Sequence, residues 1–312
     1  MKKSFEDSFN ESFEQIYNKI YASCKTNLQD IKNKNNKCLL ILILIIIVVN
    51  FVFYLHPVYK TAIGLSISIS VCVLLIVAIS ANANYRRLYK QYVIEGIIKG
   101  YNQKYYYDAK LGVMKTEYLL SNFDRSFDEF YSEDRVYGKL ENGENFQMSE
   151  VVTHVIERTR DDEGNVHEEK TETFRGLYGI IRLKRNTLSE IHIKSNSNFR
   201  KYSKDRVEME SYEFEKYYDC MTADKISTMR IFTSDLIEKY LEITKYYNNV
   251  IEVKISQDRI FFRFKTNNQL FEPPMFTSGL SKDLLKSYYR VIYYPIEIMK
   301  ATIENINSVY EI

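Results

Sequence analysis

Tryptophan is absent from the 312 residues, and glycine (10), proline (4) and cysteine (4) are sparse. The glycines nowhere form a Gly-rich phosphate loop of the Rossmann or Walker kind. A G-x-S-x-G elbow and the kinase signature set are missing as well, which leaves those hydrolase and kinase classes without support. No two of Cys24, Cys38, Cys72 and Cys220 have the close spacing of a zinc or redox motif, and the set fits a reducing compartment. Excess charge is lacking too. Lys+Arg total 43 against Asp+Glu 41, a formal +2, and general nucleic-acid binding wants a strong basic excess. No nucleic acid is expected among the partners. The last absence organises the chain: neither Cys38–Leu55 nor Thr61–Ala83 contains a single charged residue.

Both of those runs are apolar, and a bilayer core needs roughly 20 apolar residues as helix. Length argues against buried strands, which usually stop at about 5–6 residues. The two runs therefore read as a transmembrane hairpin over 38–83, with spans 38–55 and 61–83. Asn50, Ser66, Ser70 and Gly64 suit packing of one span on the other. No ionisable group sits in either span, which favours an anchor over a pump. Lys25, Lys32, Lys34 and Lys37 precede the hairpin, and Arg86, Arg87 and Lys90 follow it, while the turn holds only His56 and Lys60. Positive charge stays on the cytoplasmic side, so both termini are expected there, with residues 56–60 outside. A cleaved signal peptide is not expected, because a second span follows at once.

Residues 1–37 carry an amphipathic stripe, Phe5, Phe9, Phe13, Ile16, Ile20, Cys24, Leu28 and Ile31, at helical spacing. Such a stripe must be covered, by the chain's own cytoplasmic domain or the helix after the second span, by a partner chain or a second copy as a coiled coil, or by the membrane surface. Residues 84–112 continue as a juxtamembrane helix, with Gly96 and Gly100 suited to close packing against the arm. Residues 113–312 form the remaining domain. Tyr118–Phe130 reads as a short helix or turn. Arg135–Leu140, Phe146–Arg158, His167–Leu183 and Leu188–Ile193 are β-rich and are separated by Asn142-Gly143, Asp161–Asn165 and Arg185-Asn186, which are hairpin signals. Asp162-Glu163-Gly164-Asn165 reads as an exposed tip. Arg206–Met209 and Tyr217–Met221 read as short strands and Thr222–Ile231 as a helical turn. Thr233–Tyr246 reads as a helix with Asp235 and Glu238 at capping-box spacing. Ile251–Ile255 and Ile260–Phe264 form a hairpin, and a long helix from Ser281 to Asn307 holds Pro295, which should kink or divide it. The fold class is α+β: a twisted antiparallel sheet packed with helices behind a two-helix membrane hairpin.

Few chemistries survive. His167-Glu168 begins like H-E-x-x-H, but Thr171 stands where the second histidine belongs. His154 and His192 lie in strands, and His192 should point away from the side of Ile191 and Ile193. Cys220 with a histidine would make a thiolate dyad, against the simpler reading of a satisfied strand cysteine. Asp128, Glu129, Glu133 and Asp134 form an acidic cluster, read as a solvated face before a divalent-ion site. No catalytic, cofactor-binding or metal residue is assigned, and no cofactor is expected.

Several pieces in order carry a resemblance. The hairpin leads into Glu133-Asp134 and Gly138, then Ser149-Glu150-Val151, Phe174-Arg175-Gly176-Leu177 and Phe214-Glu215-Lys216-Tyr217. Asp224 and Thr233 precede a helix, and Leu270-Phe271-Glu272-Pro273 precedes the last one. In this the chain resembles the bacterial domain-of-unknown-function family three-one-three-seven. The resemblance implies a bacterial membrane protein with two spans and a cytoplasmic α+β domain, and no catalytic residues. The resulting expectation is a membrane-anchored cytoplasmic binding or scaffold module whose partners are the lipid bilayer and a membrane-protein partner or a second copy. The alternatives are a membrane-bound enzyme with an unrecognised site, or a subunit of a membrane transport complex.

Overall fold

The structure, a computed structural model, describes residues 5–55, 63–124, 126–160, 166–187, 189–197, 203–267, 269–274 and 279–310. The expected turn at 56–60 and the hairpin tip at 162–165 lie outside the described residues. The chain divides into two compact units. One is built from Glu14–Ile97 and Glu272–Lys286, the other from Met1–Phe13, Ile98–Phe271 and Ser287–Ile312.

The first unit holds the apolar runs. The amphipathic arm and the first run form a single helix, α1 (Phe5–Leu55), with no break at residue 37. The second run lies in α2 (Ile63–Tyr89). Asn50 Nδ2 donates to Ser70 Oγ of α2 at 3.4 Å and to its own helix at Ile46 O at 2.8 Å. Leu40, Leu44, Val48 and Phe51 on α1, and Ile69, Ile76 and Ile79 on α2, remain largely exposed.

Below the apolar runs the arm's stripe is covered within the chain. Ile16, Ile20, Cys24 and Leu28 are buried, and Cys24 Sγ donates to Tyr92 O at 3.7 Å. After α2 the backbone makes one π-helical turn (Lys90–Ile94) and resumes as α3 (Glu95–Tyr101). Lys90 is buried in this turn, with Nζ 2.7 Å from Glu272 Oε1, and Arg86 Nε lies 2.6 Å from Glu272 Oε2. Burial opposes ionisation of Glu272, but the two cations outweigh it and hold the carboxyl below its usual range.

The second unit is a nine-stranded antiparallel sheet with helices on both faces. Its strands are β1 (Tyr106–Asp108), β2 (Glu129–Lys139), β3 (Asn145–Arg160), β4 (Val166–Arg182), β5 (Ile191–Ser195), β6 (Arg206–Val207), β7 (Tyr218–Thr222), β8 (Glu252–Ser256) and β9 (Arg259–Lys265). They pair in the order β1-β2-β3-β4-β9-β8-β5-β7-β6. The α+β class and the hairpins β2–β3, β3–β4 and β8–β9 follow from the β-branched runs and their turn residues.

One face of the sheet packs against α7 (Ser234–Tyr247), itself followed by α8 (Lys282–Val309). Tyr247 lies on Phe264 at 4.9 Å, Tyr240 on Tyr218 at 5.8 Å, and Tyr246 of α7 on Tyr294 of α8 at 6.0 Å. The head of α1 joins this layer. Phe9 is fully buried among Tyr289, Tyr293 and Tyr294 with centroids within 5.3 Å, contacts worth about 0.5–1.5 kcal/mol per ring pair beyond simple burial. The opposite face packs against α4 (Lys115–Ser121), where Val113, Tyr118, Val151, Phe174, Tyr178 and Phe261 form a core with Phe123, Phe127 and Phe130 at its edge. Gly176 belongs to β4, and a Cβ there would lie 2.0 Å from Phe264 O of the neighbouring strand.

Several sequence expectations are corrected. The juxtamembrane helix expected through 112 ends at Tyr101: Asn102 accepts the Lys104 amide on its side chain at 2.9 Å, the chain turns, and Tyr105 packs on Phe146 at 4.7 Å. Residues 106–108 then add an edge strand. Tyr212–Tyr217 is a short helix, α5, capped by the Ser211 hydroxyl, so the strand expected from Tyr217 begins at Tyr218. The capping box expected at Asp235 and Glu238 is not formed. Thr233 is the N-cap, without a side-chain cap, and its hydroxyl accepts from Asn305 of α8 at 3.2 Å. The hairpin signalled by Arg185-Asn186 is not formed, because β4 pairs with β9 while β5 pairs with β7 and β8. Pro295 lies inside α8, which continues past it.

Candidate functional site

The expected acidic cluster is split by the sheet. Asp128 caps a strand amide, its Oδ2 accepting from Ile156 N at 2.7 Å. Glu129 turns outward, with Lys170 Nζ 2.5 Å away and the Tyr131 hydroxyl donating to it at 3.0 Å. Glu133 and Asp134 instead join Glu150, which the sequence marks only as part of the resemblance and not as a member of the acidic cluster. One carboxylate oxygen from each of the three lies within 4.8 Å of the others.

A β-bulge makes this possible. The β2–β3 register slips between Glu133 and Val136, which sets Glu133 opposite Glu150 and leaves Asp134 at φ +59°. A left-handed backbone at a non-glycine residue is tolerated best by Asp and Asn. Asp134 is fully buried, and the Tyr107 hydroxyl donates to it. A loop braces the bulge from the far side. Leu111 O accepts the Arg135 amide at 3.0 Å, and Val113 N donates to Ser149 Oγ at 3.0 Å. Ser149 in turn hydrogen-bonds Ser132 at 2.8 Å.

Glu150 is the chemically unusual member. It is 2% exposed, and its Oε2 accepts from Leu270 N at 2.8 Å. Arg175 lies 3.5 Å from its Oε1, with Glu172 as Arg175's closer partner at 2.5 Å. Burial raises the Glu150 carboxyl to about 7, and the neighbouring Asp134 and Glu133 push in the same direction against Leu270 N–H and Arg175. A proton is therefore shared between bound and free forms near neutrality. Beside this carboxyl lies a cavity of 390 Å³, edged by Lys110, Tyr131, Glu133, His154, Arg175 and Gln269. Three carboxylate oxygens are the donor set of a hard divalent ion. Asp134 and Glu150 already have protein partners, however, and bracing of the bulge accounts for both.

The other sequence candidates disperse. His154 reaches the same cavity, its ring edge-on to Tyr131 at 5.9 Å and Nδ1 4.0 Å from Glu129. His192 does point away from Ile191 and Ile193, but into a network rather than to open solvent. It pairs with Glu252 at 2.8 Å, and Arg263 bridges Glu252 at 2.8 Å to Asp124 at 2.7 Å. Cys220 lies on the α7 face, 1% exposed, where burial drives its thiol far above the usual range. Its opposite neighbour on β5 is Ile193, so Cys220 and His192 occupy different faces and form no dyad. His167 stands on the exposed end of β4, opposite Thr159.

Among curated proteins no match is found. A solved structure, that of the mycobacterial trehalose monomycolate transport factor A, TtfA, aligns with 65% of this chain and 93% of its own, at 8% identity and a TM-score of 0.32. A likeness that low carries no argument about this chain. The family model described as "Protein of unknown function (DUF3137)" matches residues 172–303, from the middle of β4 into α8. That segment contains the Phe174–Leu177, Phe214–Tyr217 and Leu270–Pro273 pieces, and over it the chain is similar to the DUF3137 family.

Proposed function

We propose that this protein is a binding module fixed to the cell membrane by the α1–α2 hairpin, with the sheet unit and both termini in the cytoplasm. The observation that carries the reading is the bare apolar surface of the two helices. Leu40, Leu44, Val48, Ile69, Ile76 and Ile79 each expose roughly half or more of their surface, and water does not favour such a face at about 25 cal/mol per Å². Both helices are long and apolar enough to cross a bilayer. The flanking charge supports the orientation. Lys25, Lys32, Lys34 and Lys37 precede the apolar runs and Arg86, Arg87 and Lys90 follow them, and of these Arg86 and Lys90 share the single carboxylate of Glu272. Binding rather than catalysis is favoured because the described histidines and Cys220 do not assemble around a reacting position.

Topology tests this. A protease-sensitive epitope tag on the C-terminus is expected to resist protease added to intact spheroplasts and to be cleaved once they are permeabilised. Cleavage in intact spheroplasts would overturn the orientation.

A further inference from the structure

A cavity of 710 Å³ lies away from Glu150, on the α4 face of the sheet. Its floor is set by strand register. Tyr106, Tyr137, Gln147, Ile180 and Phe261 are successive cross-strand neighbours on β1, β2, β3, β4 and β9. Two residues along, Lys139, Asn145, Arg182 and Arg259 form the next row on the same face. Two exposed tyrosines, Tyr106 and Tyr137, stack at 5.5 Å within the first row, and Leu120 of α4 forms the roof edge. An aromatic shelf thus ends at a row of cations.

The charge is one-sided. Five cations line the cavity, Lys104, Arg135, Lys139, Arg182 and Arg259, against one carboxylate, Glu117. Glu117 Oε1 already accepts from Gln147 at 2.8 Å. Elsewhere in the sheet buried arginines are matched: Arg263 by Glu252 and Asp124, Arg206 by Glu215 and Asp219. Here Arg182 and Arg259 sit directly opposite each other, an arrangement that costs stability without an anion between them. Arg259 has only Asp258 at 3.5 Å, and no described carboxylate lies within ion-pair distance of Lys104, Lys139 or Arg182. The Arg135 guanidinium rests 4.8 Å above Tyr137, with a buried Nε that has no hydrogen-bond partner.

We propose that this cavity binds an organic phosphate, a multiply charged anion joined to a planar or apolar body. Guanidinium forks match phosphate oxygens in pairs, and several cations call for more than a single negative charge. The stacked tyrosines offer a face for the uncharged part. The volume falls within the roughly 300–1,000 Å³ of small-molecule sites. The site stands whether or not the hairpin lies in a membrane, because every residue in it belongs to the sheet unit.

The test uses the full chain purified in a neutral detergent, with binding followed by calorimetry. The probes are ATP, inorganic pyrophosphate, and short-chain dihexanoyl phosphatidylglycerol as a soluble lipid headgroup. Saturable binding of at least one is expected, weakening as salt rises. Arg182→Glu, at an exposed position, should weaken it at least tenfold, and Arg182→Lys less. Tyr137→Ala should weaken ATP or the lipid while sparing pyrophosphate, which has no body to stack. Arg158→Glu, on the distant part of the β3–β4 hairpin, should leave affinity unchanged. Response to the lipid alone assigns the phosphate to a headgroup, and response to ATP or pyrophosphate assigns it to a soluble metabolite. No saturable binding of any probe would overturn the proposal, as would affinity unaffected by Arg182→Glu in a variant that melts like wild type.

Discussion

Replacing Gly176 with alanine is expected to destabilise the sheet unit by about 3 kcal/mol or more, the upper end of overpacking costs. The added methyl would stand 2.0 Å from Phe264 O and 2.9 Å from Lys265 Cα. Both are backbone atoms of β9, the strand hydrogen-bonded to β4, so relief requires breaking that pairing. Gly96→Ala provides the contrast. Its Cβ would meet only the Ile20 side chain, at 3.4 Å, and glycine-to-alanine exchange within a helix gains about 1 kcal/mol. Urea or thermal unfolding of the full chain in detergent measures both. Equal midpoints for the two variants would contradict the packing described around β4 and β9.

Glu150→Gln is expected to stabilise the protein in a pH-dependent way. In the folded chain the carboxyl titrates near 7, against the usual 4.5. Between those values the folded state holds a proton that the unfolded state has released, so the wild type loses stability as pH rises from about 4.5 to about 7. The accumulated penalty is roughly 3 kcal/mol above pH 7, at about 1.4 kcal/mol per pH unit. Glutamine is neutral throughout and keeps an acceptor for Leu270 N–H. The variant should therefore match wild type near pH 4.5 and exceed it by that amount near pH 8. A difference that stays constant across this range would show that Glu150 is not held protonated.

How much was legible in the sequence differs by element. The hairpin is visible because charge vanishes from two long runs. The arm's stripe is visible because a period near 3.6 persists from Phe9 to Leu28. Hairpins are visible where Asn142-Gly143 and Asp161–Asn165 interrupt β-branched runs. The break after Tyr101 was not visible, since Tyr101 and Tyr105 both suit a continuing helical stripe. In the fold their rings stay 5.7 Å apart although the helix ends between them: Tyr101 donates to Glu297 at 2.5 Å, while Tyr105 packs on Phe146.

The Glu133–Asp134–Glu150 group was half visible. Counting outward from Asn142-Gly143 sets Asp134 opposite Glu150, and one bulged residue moves Glu133 there instead. No local signal announces that bulge. The basic cavity was hidden for a different reason. A formal charge of +2 averages over the whole chain, whereas cross-strand register collects Lys139, Arg182 and Arg259 into one row from three separate segments.

An α1–α2 hairpin that resides in lipid, as proposed, resists extraction from isolated membranes by alkaline carbonate. The full chain is expected to stay in the pellet and to leave only with detergent, while a variant lacking residues 38–83 appears in the supernatant. Release of the full chain by carbonate alone would contradict the claim.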